Sequence, residues 1–244
     1  MKSVITVSHQ VHLRDPVLIE GLPGLGFIAT LTARYLIQTL AAEKFAEISS
    51  PYFQDVAITT SDMSPRTPVN ELYYWVSEDV SRDLIILYGN TQALMVAGQY
   101  ELSGRILDFV QDLGCNFVIC PGGLKRDPLA GAPHLYGTFT DLDTMKQVQR
   151  YGVKTMEGRI FGMAGLLLGL ASLREMQGFC LLKETLGTSP DVAAAKEVLA
   201  FLLRYFGFSI DLRDLPKVAK DAFKVVDFLG VPPSKRMEDV FGYF

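Results

Sequence analysis

Cysteine and histidine are scarce in this chain, with three residues of each among 244. The odd number of cysteines gives no disulfide framework, and Cys115 and Cys120 lie in the apolar run CNFVIC, where small buried side chains suit a strand. His9, His12 and His134 are scattered and share no spacing with carboxylates that is typical of a metal site. We therefore predict buried free thiols, no bound metal or other cofactor, and a reducing, cytoplasmic location.

The chain also lacks an excess of positive charge and a long hydrophobic run. Its formal net charge is −4 and its pI is about 5.4, so no basic surface for nucleic acid or for an anionic membrane is indicated. The N-terminal MKSVITVSHQ has no sustained apolar core and predicts no signal peptide. The most apolar window, 160–173, is shorter than the ~20 residues that span a bilayer. We predict a buried helix there, with no nucleic-acid partner and no membrane segment.

Continuous apolar runs of strand length alternate with helical stretches along most of the chain. Hydrophobic residues make up 49% of it and charged residues 20%, a composition typical of a folded globular protein. Strands buried on both faces have such uninterrupted runs, which predicts a mainly parallel sheet between two layers of helices. The predicted strands are 16–21, 84–89, 116–123 and 178–184, and the predicted helices are 25–42, 94–113, 141–151, 160–175 and 191–206.

Local signals indicate some of the boundaries. Ser189 or Asp191 can cap the helix at 191–206, and Gly207 is a normal helix stop. The segment 57–80 alternates more loosely around a polar loop. We interpret it as a hairpin-like excursion at the edge of the sheet.

The C-terminal part changes in composition. A last predicted helix, about 214–229, closes at Gly230, and two prolines, mixed charge and a cluster of aromatic residues follow it. Such a shift is typical of a terminal segment that leaves the folded body. We predict a single three-layer α/β/α domain over 1–230 and a flexible C-terminal tail over 231–244.

The segment LIEGLPGLGFIA, residues 18–29, joins a predicted strand to a predicted helix through a glycine-rich turn. Gly24, Gly26 and Ala29 have the G-x-G-x-x-A spacing of a dinucleotide-binding turn in the strand–turn–helix context that this motif requires. A carboxylate that binds ribose is expected about 20 residues further on. The acidic residues near that distance are Glu43 and Glu47.

Two residues of the turn argue against a bound phosphate. Pro23 removes one N–H group that a pyrophosphate would need, and Glu20 adds negative charge beside the turn. Glycine is also favoured wherever a strand turns sharply into a packed helix. We therefore interpret the glycines mainly as a tight join between sheet and helix.

Carboxylates near the ends of predicted strands are the remaining enzymatic signal. Open α/β sheets bind ligands beyond the carboxyl ends of their strands, so a phosphorylase-like or hydrolase-like site could lie there. The alternative is that these side chains cap and bond loop N–H groups. No G-x-S-x-G motif or other complete catalytic motif is present, so we assign no catalytic residue. The residues of this candidate ligand crevice are Glu20, Gly24, Gly26, Asn90, Gly122, Glu157 and Glu184.

Several segments carry a resemblance to a known family. In their order and spacing, five segments resemble the archaeal branch of the proteasome assembly chaperone family, whose members are homologues of the second proteasome assembly chaperone. The segments are LIEGLPGLGFIA, then ARYLIQTLAAEKFAEISSPYF, LIILYGNTQ at 84–92, GRIFGMAGLLLGL at 158–170 and 182–212. The resemblance implies a nucleoside-phosphorylase-like α/β fold used without catalysis. It also implies a homo-oligomer, such as a trimer or tetramer, that binds proteasome α subunits.

The C-terminus is the expected docking element. Proteasome-binding tails end in a hydrophobic residue, a tyrosine and a last residue, and Tyr243 is in the penultimate place. Gly242 departs from that pattern, because the hydrophobic residue, Phe241, comes one position early. An aromatic ring in a pocket between subunits and a terminal carboxylate on a basic group would suit such docking. The predicted partner-binding residues are Phe241, Tyr243 and Phe244.

The sequence leaves three hypotheses open. The first is a chaperone whose tail binds α subunits, and the second is a small-molecule enzyme that uses the strand-end crevice. The third is an activator or adaptor whose tail docks on the assembled proteasome. A tail that folds back onto its own core would not be available for docking, and this would contradict the first and third hypotheses.

Overall fold

Nine strands form one mixed β-sheet that runs through the middle of the protein. A computed structural model describes residues 2–59, 64–78, 82–127, 131–187 and 189–220. The strands of the described residues are β1 (Val4–Val7), β2 (Val17–Gly21), β3 (Glu43–Ser49), β4 (Ile58–Thr59), β5 (Pro65–Arg66), β6 (Asn70–Trp75), β7 (Leu84–Gly89), β8 (Phe117–Lys125), β9 (Leu135–Phe139), β10 (Lys154–Thr155) and β11 (Gln177–Thr185).

Helices cover both faces of this sheet. The helices are α1 (Ile28–Thr39), α2 (Val96–Asp112), α3 (Leu142–Gln149), α4 (Gly162–Leu173) and α5 (Val192–Phe206), and a short 3-10 helix (Leu25–Phe27) precedes α1. The apolar side chains of α1, α3 and α5 pack on one face of the sheet, and those of α2 and α4 pack on the other. The predicted three-layer α/β fold is confirmed.

The strand order is β1-β3-β6-β7-β2-β8-β11-β9-β10, with β4 and β5 in a separate small sheet. The central strands β7, β2, β8 and β11 are parallel, and they are the four apolar runs that the sequence predicted as strands. Antiparallel pairings flank them, with β6 on β7 and β9 on β11. The sheet is therefore mixed, and parallel pairing dominates only its centre.

The central strands are parallel and buried because they have no polar face. β2 is buried at every position, and β7 at all but Tyr88. Helix α1 follows β2 and helix α5 follows β11, and the ends of α5 follow the predicted signals. The Asp191 carboxylate caps α5 by accepting a hydrogen bond from the N–H of Ala194, and Gly207 ends it in the left-handed region.

The interpretation of 57–80 as a hairpin at the sheet edge was wrong. β6, which contains the ELYYW part of that segment, pairs with β7 on one side and with β3 on the other. Both of its faces are covered, since Leu72 is buried in one core cluster and Trp75 packs edge-on against Phe208 on the other face. Aromatic residues on the less buried face gave the loose alternation that suggested an edge.

The three cysteines are free and buried, as predicted. Burial raises the pKa of the Cys115 thiol to about 11. Cys120 on β8 is paired in register with Cys180 on β11, and a hydrogen bond between their side chains raises the pKa of Cys120 well above its usual value. The raised pKa values keep the Cys115 and Cys120 thiols protonated at neutral pH, which makes them poor nucleophiles.

The described part of the chain ends within the predicted last helix. Residues 215–220 are helical, and Leu215, Val218 and Ala219 pack with the core cluster that lies under α1 and α5. The end of this helix, its stop at Gly230 and the tail 231–244 lie outside the described residues. The boundary between domain and tail stays a prediction.

Candidate functional site

The glycine turn lies where the central parallel strands end. β2 ends at Gly21, and after Leu22, Pro23 and Gly24 the 3-10 helix leads into α1. Gly26 has a φ of 65°, in the left-handed region that favours glycine, whereas Gly24 has an extended backbone with a φ of −159°. Of these two positions, Gly26 is therefore the one whose backbone conformation requires glycine.

The end of β11 and the start of α5 fill the space beside Gly26. The N–H of Asp191 donates to the carbonyl oxygen of Gly26 at 2.9 Å, and the Thr185 hydroxyl donates to the Asp191 carboxylate at 2.7 Å. A Cβ on Gly26 would lie 3.2 Å from the Thr185 Oγ1. Leu25 packs against Gly187, where a Cβ would lie 2.3 Å from the leucine side chain.

Gln92 closes the other side of the turn. It follows β7 and donates from its side-chain Nε2 to the carbonyl oxygen of Pro23, while its Oε1 accepts a hydrogen bond from the N–H of Met163 at 3.0 Å. One amide therefore joins the glycine turn to the first turn of α4. The sequence did not point to this residue, and its only signal was a polar side chain just beyond a buried strand.

Glu20 lies near the end of β2, in the interior of the protein. Its side chain is buried, its Oε1 accepts a hydrogen bond from the N–H of Leu22 at 2.8 Å, and its Oε2 has no partner among the described residues. Burial raises the pKa of Glu20 to about 8, which the hydrogen bond from Leu22 only partly offsets. The carboxyl group is therefore mostly protonated at pH 7 and adds little negative charge beside the turn.

Two other crevice candidates hold neighbouring loops. The Asn90 Oδ1 accepts from the N–H of Val69 at 3.2 Å, and the Glu184 carboxylate accepts from the N–H of His134 at 2.6 Å. These are the loop hydrogen bonds that the sequence offered as the alternative to ligand binding.

The remaining candidates differ in exposure and packing. Gly122 lies on β8, where a Cβ would be 3.0 Å from Leu182, and Glu157 is exposed between β10 and α4. The tightest glycine of β8 is the next one, Gly123, where a Cβ would lie 2.4 Å from the carbonyl oxygen of Leu25. Gly123 was not among the candidates, although only glycine lets the turn lie so close to β8.

The acidic residues proposed for ribose lie far from the turn. Glu43 begins β3 and accepts a hydrogen bond from the Tyr74 hydroxyl, and Glu47 pairs with Lys44 at 2.5 Å. β3 is separated from β2 by β6 and β7, a distance of roughly 14 Å at the usual strand spacing. The dinucleotide-binding interpretation therefore lacks its carboxylate.

Neither a membrane span nor a metal site has a candidate in the described ranges. None of the helices described is long and apolar enough to cross a bilayer. No group of three or more histidine, cysteine, aspartate or glutamate side chains in this part of the chain is placed to hold a metal ion.

The fold, together with the glycine turn at the ends of the central strands, defines the class of this protein. The protein has three α/β layers and a mixed central sheet, and its glycine turn is packed between Thr185, Asp191 and Gln92. A model of the PAC2 family matches residues 18–229, and the chain belongs to this family. The resemblance inferred from the sequence is thereby confirmed.

Several proteins similar to this chain come from archaea. An uncharacterized protein of Methanocaldococcus jannaschii is 34% identical over 210 residues, which cover 85% of this chain and 80% of that protein. PbaB of Pyrococcus furiosus, solved as an archaeal proteasome activator, is 36% identical with a TM-score of 0.83 and covers 94% of this chain and 99% of PbaB. PbaA of the same organism, an archaeal homolog of proteasome-assembly chaperone, shares the fold with a TM-score of 0.78 at 22% identity, over 97% and 98% of the two chains.

Proposed function

We propose that this protein is a non-catalytic, cytoplasmic proteasome-binding protein that assists the assembly of α subunits. The observation that supports binding to the proteasome is the similarity to PbaB over nearly the whole length of both chains, at an identity above that of a mere fold likeness. Membership of the PAC2 family supports the same proposal. The aromatic C-terminus, Phe241, Tyr243 and Phe244, is the proposed contact with the α subunits.

The edge of the sheet supports a role without catalysis. Enzymes with open α/β sheets use the space beyond the strand ends for ligands. Here the glycine turn is packed against Thr185 and Asp191, and Gln92 bonds to the backbone on its other side. Asn90 and Glu184 are engaged with backbone N–H groups of loops. The side chains of Gln92, Asn90 and Glu184 are thus used to hold the fold.

A second candidate is an activator of the assembled proteasome, because PbaB itself is described as one. The two candidates share the tail but differ in the state of the partner. A chaperone would bind free α subunits and increase the rate of ring formation. An activator would bind the complete proteasome and increase its peptide hydrolysis.

The experiment compares the full chain with a variant that lacks residues 241–244, using purified archaeal α subunits and assembled proteasome. We expect binding by the full chain and loss of binding by the truncated one, because the aromatic rings and the terminal carboxylate are removed together. Tyr243→Ala should give a similar loss, whereas Val240→Ala, outside the motif, is the matched control. Undiminished binding by the truncated chain would contradict the role of the tail. Ring-assembly and peptidase assays then distinguish the two candidates.

A further inference from the structure

Arg34 is the only charged residue of helix α1. It is only partly exposed, and it makes no ion pair with any side chain in the described ranges. Its Nε is buried and has no hydrogen-bond partner in this part of the chain. Because a charged group that is withdrawn from water is normally paired, an arginine in this position points to a partner from outside the described fold.

Two tyrosines of the sheet lie beside the Arg34 guanidinium. Its Nη1 donates a long hydrogen bond to the Tyr88 hydroxyl at 3.5 Å, and its Cζ lies 5.8 Å from the centre of the Tyr88 ring. The Tyr73 ring packs edge-on against that of Tyr88, with 6.4 Å between the ring centres. Both tyrosines are partly exposed. The guanidinium is therefore held against aromatic rings at a place that borders solvent.

The carboxylate of Glu71 lies on the neighbouring strand but is used elsewhere. Glu71 is paired in register with Tyr88 across β6 and β7. Its Oε1 lies 3.1 Å from the Lys44 Nζ, and its Oε2 accepts a hydrogen bond from the Tyr73 hydroxyl at 2.8 Å. Each oxygen of Glu71 thus has its own donor, and neither pairs with Arg34.

The groups around Arg34 contain hydrogen-bond donors that have no acceptor. A guanidinium has five N–H donors, and Arg34 uses one of them among the residues described. The Tyr88 hydroxyl accepts that bond, but its own proton has no acceptor there. Thr30, one turn earlier on the same side of α1, has a buried hydroxyl that is also without a partner. A ligand that matches this set supplies acceptors only.

We propose that Arg34 and the Tyr88 hydroxyl bind a carboxylate group. The site is the Arg34 cluster, formed by Thr30, Arg34, Tyr73 and Tyr88, and none of its residues belongs to the candidate ligand crevice. A carboxylate carries acceptors only and matches the planar fork of guanidinium N–H groups. Its single negative charge neutralises the one unpaired positive charge. A phosphate group carries nearly two negative charges and would leave an excess beside Glu71.

The surroundings of Arg34 suit a carboxylate that is attached to an apolar group. The rings of Tyr73 and Tyr88 meet at 77° and offer an apolar surface beside the guanidinium. Ile37, one turn after Arg34 on α1, adds a partly buried aliphatic side chain. A free aryl or alkyl carboxylate has this chemistry, and so has the side chain of a glutamate in another protein.

The test is isothermal titration calorimetry of the full-length protein with benzoate at constant ionic strength, with benzamide as the neutral isostere. We expect saturable binding of benzoate in the millimolar range, because one ion pair at the surface is weak, and no binding of benzamide. Arg34→Met keeps the apolar stem without the charge and should abolish binding. Tyr88→Phe removes only the hydroxyl and should weaken binding by roughly tenfold.

The matched control is Arg204→Met, which removes an exposed arginine of α5 and should leave binding unchanged. Circular dichroism establishes that each variant is folded. A capped peptide with a single glutamate, compared with its glutamine counterpart, distinguishes the two sources of the carboxylate. Tighter binding of the glutamate peptide than of benzoate would assign a protein side chain, and the reverse would assign a free carboxylate.

Three results would overturn the proposal. The first is that neither benzoate nor the glutamate peptide binds saturably, and the second is undiminished binding by folded Arg34→Met. The third is binding that occurs only after removal of residues 231–244, since carboxylates of the chain's own tail would then be the normal partner of Arg34.

Discussion

Glu20 shows how far a single residue can depart from what its position in the sequence indicates. It precedes a glycine turn and was expected to add negative charge there, but the strand buries it and leaves its Oε2 without a partner in the part of the chain described. Sequence alone gives the residue type but not the depth of burial, because burial depends on α2 and α4, which come much later in the chain. The position of Gln92 was equally hidden, because its two hydrogen-bond partners, Pro23 and Met163, are distant from it in the sequence.

The burial of Glu20 makes the stability of the protein depend on pH. Its folded-state pKa of about 8 exceeds the ordinary value of 4.5, so between these values the folded state holds a proton that the unfolded state has lost. The free energy of unfolding should therefore fall with rising pH by about 1.4 kcal/mol per unit across this window. Glu20→Gln keeps a neutral side chain at all pH values and should remove this dependence.

Urea denaturation at a series of pH values from 5 to 8 measures the effect of Glu20→Gln. The difference in unfolding free energy between variant and parent should increase steadily in favour of glutamine as the pH rises. Glu157→Gln, at an exposed position, is the control and should keep the profile of the parent. A constant difference across the series would show that Glu20 does not titrate in this window.

At the scale of secondary-structure elements, the pattern of apolar residues predicted the strands that are buried on both faces. The strands β2, β7, β8 and β11 were predicted because each is an uninterrupted apolar run, and the five helices because each is a longer stretch with a helical pattern; α5 also has its own cap and stop. The strands β1, β3, β9 and β10 were not predicted. Each of these segments is short or partly exposed. Each is a strand because it pairs with another strand that is distant in the sequence, as β1 pairs with β3.

The strand-to-helix turn contains two glycines with opposite requirements. Gly26→Ala should destabilise the fold by about 1–2 kcal/mol, because it places a side chain at positive φ and close to Thr185. Gly24→Ala should change stability by less than about 0.5 kcal/mol, because its backbone is extended and no atom lies within 4 Å of a Cβ there. Chemical denaturation of the two variants gives the comparison. Equal losses would mean that the turn is not held as described.

For the whole molecule, the proposed function depends on the number of tails that bind together. A single flexible tail binds weakly, since ordering it costs conformational entropy, whereas linked tails on one assembly raise apparent affinity by roughly 10²–10⁴. The homo-oligomer expected from the sequence would present several tails, so a peptide of residues 231–244 alone should bind immobilised α-subunit rings at least about 100-fold more weakly than the full chain. Surface plasmon resonance measures this difference, and fusing the peptide to an unrelated oligomeric domain should restore much of the lost affinity. A free peptide that binds as tightly as the full chain would show that one tail is sufficient.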